Sequence, residues 1–209
     1  MDYSAFKCKW IDQNQLRELA DQKRQKYWPE GIHPVDTTKI IELRLRLEVE
    51  PMFDLLSTLD VDAYLKTDLS GIVVDHECYM NDKFLNRLRF SMAHELAHYF
   101  LHREIYSSLS LSSPEDWKEF IQNVPESEYE AFEYQANEFA GRFLVPYEKL
   151  KSAIMDSIEM LKRSGIEYLL SDSDMVLSRI SPFLRRIFGV SEQVIEIRVR
   201  REKLWPPNE

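Results

Sequence analysis

Two histidines and a glutamate in the middle of the chain are spaced as a metal site requires. His94 and His98 stand one helical turn apart in a segment with helical periodicity, so both side chains project in the same direction and can bind one zinc ion. Glu95 is displaced by about 100° around the same helix, which places its carboxylate beside the metal. There it can accept a proton from a water molecule whose pKa zinc lowers to about 7. The segment is a complete His-Glu-x-x-His motif and predicts a zinc site with Glu95 as the general base.

A catalytic zinc site needs a third protein ligand, which leaves the fourth position for water. A metzincin motif would continue with glycine and histidine seven and ten residues after the first histidine, where this chain has Leu101 and Glu104. His102 lies about 12 Å from His94 by helix rise, too far for the three histidines to share one ion. At the carboxyl end of its helix His102 suits the helix dipole instead. The third ligand is therefore expected on another helix.

Glutamates in the segment from Glu126 to Ala140 are the remaining ligand candidates. Glu133 stands beside the apolar stripe of that segment and can face a partner helix, while Glu130 is almost as good by spacing alone. Asn137 lies one turn after Glu133, where its amide can hydrogen-bond the second nitrogen of a histidine and determine its tautomer. A solvated acidic face is the simpler interpretation of all these glutamates, so spacing leaves the choice open.

The motif and the glutamates depend on elements that the apolar periodicity predicts. Helical spacing, cap residues and prolines predict helices at Asp12 to Trp28, from Asp36 to a point before Pro51, at Phe84 to His102, around Trp117 to Ile121, and at Pro125 to Val145. Short apolar runs predict strands at Val61 to Lys66 and Ile72 to Asp75. The remainder has a helical pattern to Arg186, turns at Gly189 and resumes at Ser191.

Two separated motifs carry a family resemblance. They are Arg89-Phe90-Ser91-Met92-Ala93-His94-Glu95-Leu96-Ala97-His98-Tyr99-Phe100-Leu101-His102, and Glu133-x-x-Ala136-Asn137-x-Phe139-Ala140 with Leu144-Val145-Pro146. Together they closely resemble the ImmA/IrrE family of zinc metallopeptidases, over the part of the chain from Gly71 to Pro146. Ala97 departs from the glycine that members usually carry, but the ligand positions match. The resemblance implies a gluzincin-type site with Glu133 as the third ligand.

The resemblance also implies a fold and a substrate. We expect an α+β fold, mainly helical, with a small three-stranded β-sheet packed on the His-Glu-x-x-His helix, as in a gluzincin-like minimal metallopeptidase. Members of the family characteristically cut a helix-turn-helix repressor and so release a phage, mobile-element or stress-response programme. A DNA-binding repressor is therefore the expected protein substrate.

The chain is expected to divide into a zinc metallopeptidase domain with amino-terminal helices at residues 1–150 and a helical region at residues 151–209. The turn at Phe188-Gly189-Val190-Ser191 resembles that of a helix-turn-helix, and Leu184 to Lys203 contains five arginines and one lysine against three glutamates. This block could contact DNA or a repressor. The alternative, which the acidity of the chain favours, is a helical hairpin that closes the core.

Composition excludes several classes of protein. The formal charge of −9 argues against a protein that neutralises many DNA phosphates, so we expect no direct binding to nucleic acid. The two cysteines, Cys8 and Cys78, make no disulfide framework and no Cys-x-x-Cys motif, and are expected to be buried or incidental thiols. No secretion signal is visible from Met1 to Trp10 and no apolar stretch approaches about 20 residues, which predicts a cytoplasmic protein without membrane contact.

The sequence does not decide which residue stabilises the oxyanion, or whether a strand of the sheet binds the substrate. A donor for the oxyanion of the transition state is expected, and Tyr147, Tyr99, His76 and His33 are all candidates. The strand from Ile72 to Asp75 could be an edge strand that pairs with an extended substrate, or a plain structural strand.

The function that these residues favour is a zinc-dependent endopeptidase that cleaves a specific repressor. The alternative is a metal-stabilised regulator that binds and sequesters a repressor without cleaving it. Glu95 favours the enzyme, because a purely structural zinc site has no use for a carboxylate beside an open coordination position. A DNA-binding regulator that acts through the carboxy-terminal helices is a third, weaker hypothesis.

Overall fold

Helices make up most of the chain in the computed structural model, which describes residues 3–109, 111, 113–165 and 173–204. The α-helices of this part are α1 (Gln13–Tyr27), α2 (Thr37–Lys39), α3 (Leu55–Leu59), α4 (His76–Met80), α5 (Leu85–Leu101), α6 (Arg103–Ser108), α7 (Pro114–Asn123), α8 (Glu126–Leu144), α9 (Tyr147–Arg163), α10 (Ser173–Phe188) and α11 (Glu192–Arg201). A π-helix (Ile40–Leu45) continues α2, and a 3-10 helix (Asp82–Phe84) precedes α5. None of the helices in the described ranges is long and apolar enough to cross a membrane.

Three strands, β1 (Glu48–Met52), β2 (Ala63–Leu65) and β3 (Gly71–Asp75), form one mixed sheet in the order β1-β3-β2. β1 runs parallel to β3, and β2 runs antiparallel to it. The predicted α+β class, mainly helical with a three-stranded sheet, is therefore confirmed. The suggestion that Ile72 to Asp75 is an edge strand is wrong, because β3 is hydrogen-bonded on both sides. β1 and β2 are the edge strands, and α5 packs against β2.

The predicted second helix begins where expected but ends early. Asp36 is its N-cap, with the side chain accepting a hydrogen bond from the backbone N–H of Lys39. The helix stops at Arg46, whose backbone is left-handed with φ 58°. The chain then enters β1, a strand that was not predicted because it contains Pro51. Proline is tolerated there because β1 is an edge strand and its missing N–H costs no ladder bond.

Helices α5 and α8 pack against each other and form the centre of the core. Their bounds lie within one residue of the predicted Phe84 to His102 and Pro125 to Val145. Both helices carry fully buried small residues, which are Ala93 and Ala97 on α5 and Ala136 and Ala140 on α8. With only a methyl group at these positions the two helices can approach closely, which brings side chains of α5 and α8 within reach of one point.

The turn between α10 and α11 docks on the amino-terminal part of α5. Gly189 has φ 61°, and a Cβ there would lie 2.7 Å from Cβ of Pro34, so the turn requires glycine. The Arg89 guanidinium donates hydrogen bonds to the carbonyl oxygens of Gly189 and Val35. The predicted turn at Gly189 and the restart at Ser191, which caps α11, are confirmed.

A buried ion-pair cluster joins α11 to α8. The Glu138 carboxylate is 1% exposed and contacts Arg17 at 3.0 Å, Arg198 at 2.8 Å and Arg201 at 2.6 Å. Two of the five arginines in the block that could contact DNA therefore pair with α8, which favours the helical-hairpin interpretation. The division of the chain into two parts at residue 150 stays a prediction. Residues 166–172, which belong to the second part, lie outside the described residues.

Candidate metal centre

Three side chains from α5 and α8 converge on one point. Ligand atoms of His94, His98 and Glu133 all lie within 4.8 Å of one another. The His94 Nε2 to His98 Nε2 distance is 2.9 Å, His94 Nε2 to Glu133 Oε2 is 3.1 Å, and His98 Nε2 to Glu133 Oε1 is 3.7 Å. Bonds of about 2.0–2.1 Å to a tetrahedral ion place its ligand atoms about 3.3 Å apart, so the three atoms fit a metal ion. Two imidazoles and one carboxylate are also a donor set that suits catalytic zinc.

The structure separates the two glutamates that spacing left equivalent. Glu133 is half-buried and faces α5, whereas Glu130 is exposed to solvent. Asn137 is where the sequence predicts it, with its Oδ1 3.1 Å from His94 Nδ1. An amide oxygen can only accept, so His94 Nδ1 carries a hydrogen, and Nε2 is the nitrogen that faces Glu133 and is available for a metal ion once it is deprotonated.

His98 is oriented by a hydrogen-bonded chain that ends at the amino-terminal segment. His98 Nδ1 lies 2.9 Å from His102 Nδ1, and His102 Nε2 lies 3.3 Å from Gln135 Oε1. Gln135 Nε2 in turn donates to the carbonyl oxygen of Lys9 at 3.0 Å. Because Gln135 Oε1 can only accept, His102 donates from Nε2 and accepts at Nδ1, and His98 donates from Nδ1. This direction leaves the lone pair of His98 Nε2 on the side of Glu133.

Burial and charge set the protonation of the three histidines. Burial lowers the pKa of His98 well below its usual value and lowers the pKa of His102 to about 4, so both are neutral at pH 7. For His94, burial lowers the pKa, but the adjacent Glu133 carboxylate raises it more, to about 9. A metal ion that binds His94 Nε2 would have to displace that proton.

Glu95 is buried beside the centre, on the side of the sheet. Its Oε2 accepts a 2.8 Å hydrogen bond from the backbone N–H of Leu65 in the edge strand β2. Burial raises the pKa of Glu95 to about 7, although the charge of His94 and the Leu65 hydrogen bond oppose this shift. A carboxylate with a pKa near neutrality can both take and return a proton. The Leu65 N–H is a feature of the site that the sequence did not predict, because a backbone donor leaves no sequence signal.

The pocket at the centre is small, with a volume of about 80 Å³. Tyr64, Tyr106 and Tyr129 are the tyrosines that line it, and none of the four predicted oxyanion donors is among its lining residues. Burial and a hydrogen bond with Glu133 raise the pKa of Tyr129. Tyr129 was not among the site residues predicted from the sequence. Its position one turn before Glu133, on the same face of α8, could have indicated that it lies at the site.

The cysteines take no part in this centre. Cys8 and Cys78 are both free and buried, as predicted. Burial raises the pKa of Cys8 to about 11 and that of Cys78 to about 12, so both are protonated thiols at neutral pH.

Two packed helices that bring two histidines and a glutamate together, with a further carboxylate beside them, define a protein of the metallopeptidase type. The family model of the IrrE N-terminal-like domain, Peptidase_M78, matches residues 79–200, more than half of the 209-residue chain. The chain belongs to this family, and the resemblance to the ImmA/IrrE peptidases is confirmed. A comparison with curated proteins gives no match. As a member of a peptidase family, the protein has a protein substrate.

Proposed function

We propose that the protein is a zinc-dependent endopeptidase in which His94, His98 and Glu133 hold the metal and Glu95 is the general base. The observation that carries the proposal is the convergence of the three ligand atoms from α5 and α8, with the buried Glu95 carboxylate next to them. A structural metal site would need four protein ligands and no adjacent base. Among the described residues, three side chains that could bind a metal lie around this point, and the Glu95 carboxylate is next to them, which supports the catalytic alternative.

The proposed chemistry assigns a task to each side chain. A bound zinc ion would acidify a water molecule and polarise the scissile carbonyl group. Glu95 takes the proton of the attacking water as its oxygen adds to the carbonyl carbon, and later delivers that proton to the amide nitrogen as the C–N bond breaks. The Leu65 N–H holds one oxygen of Glu95 in place, and Glu95 lines the pocket. Asn137 and His102 keep the two imidazoles in the tautomers that metal binding requires.

His102 offers a test of that last assignment. We expect His102→Ala to weaken zinc binding by about 10–100-fold, because His98 loses the acceptor that orients its ring. Competition with a chelator measures the affinity, and thermal unfolding shows whether the fold is kept. Glu104→Ala, which removes an exposed side chain two residues later, should leave the affinity unchanged. Equal zinc affinity of His102→Ala and the wild-type protein would mean that His102 does not orient His98.

The finer proposal concerns the substrate: a specific helix-turn-helix repressor in the cytoplasm, whose cleavage releases a phage, mobile-element or stress-response programme. The family resemblance supports it, and so does a physical argument. A peptidase that acts among the proteins of its own cell must take its selectivity from recognition of the substrate.

We expect the zinc-loaded protein to leave casein and other unfolded proteins nearly uncut, and to cut a repressor encoded beside its gene at a few exposed bonds. Mass spectrometry of the products from a panel of proteins measures this. Rapid cutting of many unrelated proteins would instead show a general degradative enzyme. Tight binding of the repressor without any cutting would favour the sequestration alternative.

A further inference from the structure

We propose that a groove between α5, α8 and α11 binds an extended segment of the substrate next to the bond that is cut, and selects a bulky apolar side chain in that segment. The groove has a volume of about 590 Å³. The inference rests on the proposed endopeptidase function and names the part of the chain that would read the substrate.

The groove lies beside the metal centre. Asn137, which hydrogen-bonds His94, also lines the groove. Ser91, one turn before Glu95 on α5, lines it as well and donates a 3.1 Å hydrogen bond to Asp62. Asp62 is another lining residue and immediately precedes Ala63, which lines the metal pocket. Residues that line the groove are therefore direct neighbours of residues that line the metal pocket.

The volumes of the metal pocket and of the groove suit different parts of the substrate. Sites for small ligands typically have volumes of about 300–1,000 Å³. The metal pocket, at about 80 Å³, is too small for more than the reacting bond and its immediate surroundings. The groove, at about 590 Å³, has room for several residues of an extended chain. A peptide bond held at the metal centre would thus have its flanking residues in the groove.

The chemistry of the walls favours an apolar occupant. Phe90 from α5 and Val194 and Ile197 from α11 line the groove, and Ile197 is 39% exposed. The charged side chains that line the groove already form ion pairs with one another. Arg87 pairs with Asp62 at 2.6 Å, and the arginines of α11 in the lining, at positions 198 and 201, pair with Glu138. With its charges paired, the groove gains most from burying apolar surface of the substrate.

A retention experiment tests the groove without requiring hydrolysis. Zinc-loaded Glu95→Gln protein is immobilised and exposed to a synthetic peptide library with random residues, and the retained peptides are read by mass spectrometry. We expect enrichment of bulky apolar residues at one position, and about a tenfold or greater loss of that enrichment in the double variant with Ile197→Glu. Met160→Glu on α9, which alters a residue of similar exposure away from the groove, should keep the enrichment.

Each outcome decides one question. The same retained peptides with and without Ile197→Glu, at equal thermal stability, would overturn the proposal, as would retention with no apolar enrichment. A change from dimer to monomer on Ile197→Glu, with retained peptides unchanged, would identify the groove as a contact between copies of this chain and would also overturn it. Groove-dependent retention by a protein whose wild-type form cuts nothing would contradict the endopeptidase function alone.

Discussion

Replacing Glu95 with glutamine should lower kcat by about 10²–10⁴-fold, the usual contribution of a general base, while the fold and the metal are kept. Glutamine has nearly the shape of glutamate, and its amide oxygen can still accept the hydrogen bond from the Leu65 N–H. What it lacks is the capacity to take a proton from water. The measurement is single-turnover cleavage of the repressor by zinc-loaded protein, with metal content determined on the same samples.

The matched control for this prediction is Glu130→Gln, which changes an exposed carboxylate on α8 in the same way. Its kcat should equal that of the wild-type protein. Cleavage by Glu95→Gln at close to the wild-type rate would show that another group acts as the base. Loss of zinc from Glu95→Gln would show that Glu95 is a ligand and not a base.

The second large effect is expected on metal content. The wild-type protein should bind about one zinc ion per chain, and His94→Ala, His98→Ala and Glu133→Ala should each lose most of it. Mutation of a residue that hydrogen-bonds a metal ligand typically lowers the affinity for the metal by about 10–100-fold. Removal of a ligand itself should lower this affinity further. Elemental analysis of the purified variants after dialysis measures the occupancy.

Glu130→Ala distinguishes this ligand set from the alternative that spacing alone permits. Glu130 is one turn away from Glu133 on the same helix, so its replacement changes the charge of α8 equally. It should retain the zinc of the wild-type protein. The opposite result, with zinc lost from Glu130→Ala and kept by Glu133→Ala, would refute the assignment of the third ligand.

The histidines and Glu95 could be predicted from the sequence because their relation is local. Residues 94, 95 and 98 lie on one helix, and helix geometry alone sets the directions of their side chains. The bounds of α5 and α8 were also predictable, since apolar periodicity and the prolines at 125 and 146 mark them. For the third ligand, spacing did not distinguish Glu133 from Glu130, and only the family resemblance favoured Glu133.

What the tertiary structure decided depends on contacts between residues far apart in the chain. The rotation of α8 against α5 turns Glu133 towards the histidines and leaves Glu130 exposed to solvent. Strand order is equally non-local, so the central position of β3 was not predicted. The Leu65 N–H on Glu95 and the groove beside α11 have the same origin. Periodicity reports which face of an element is apolar, whereas the partner of that face is chosen only when the whole core packs.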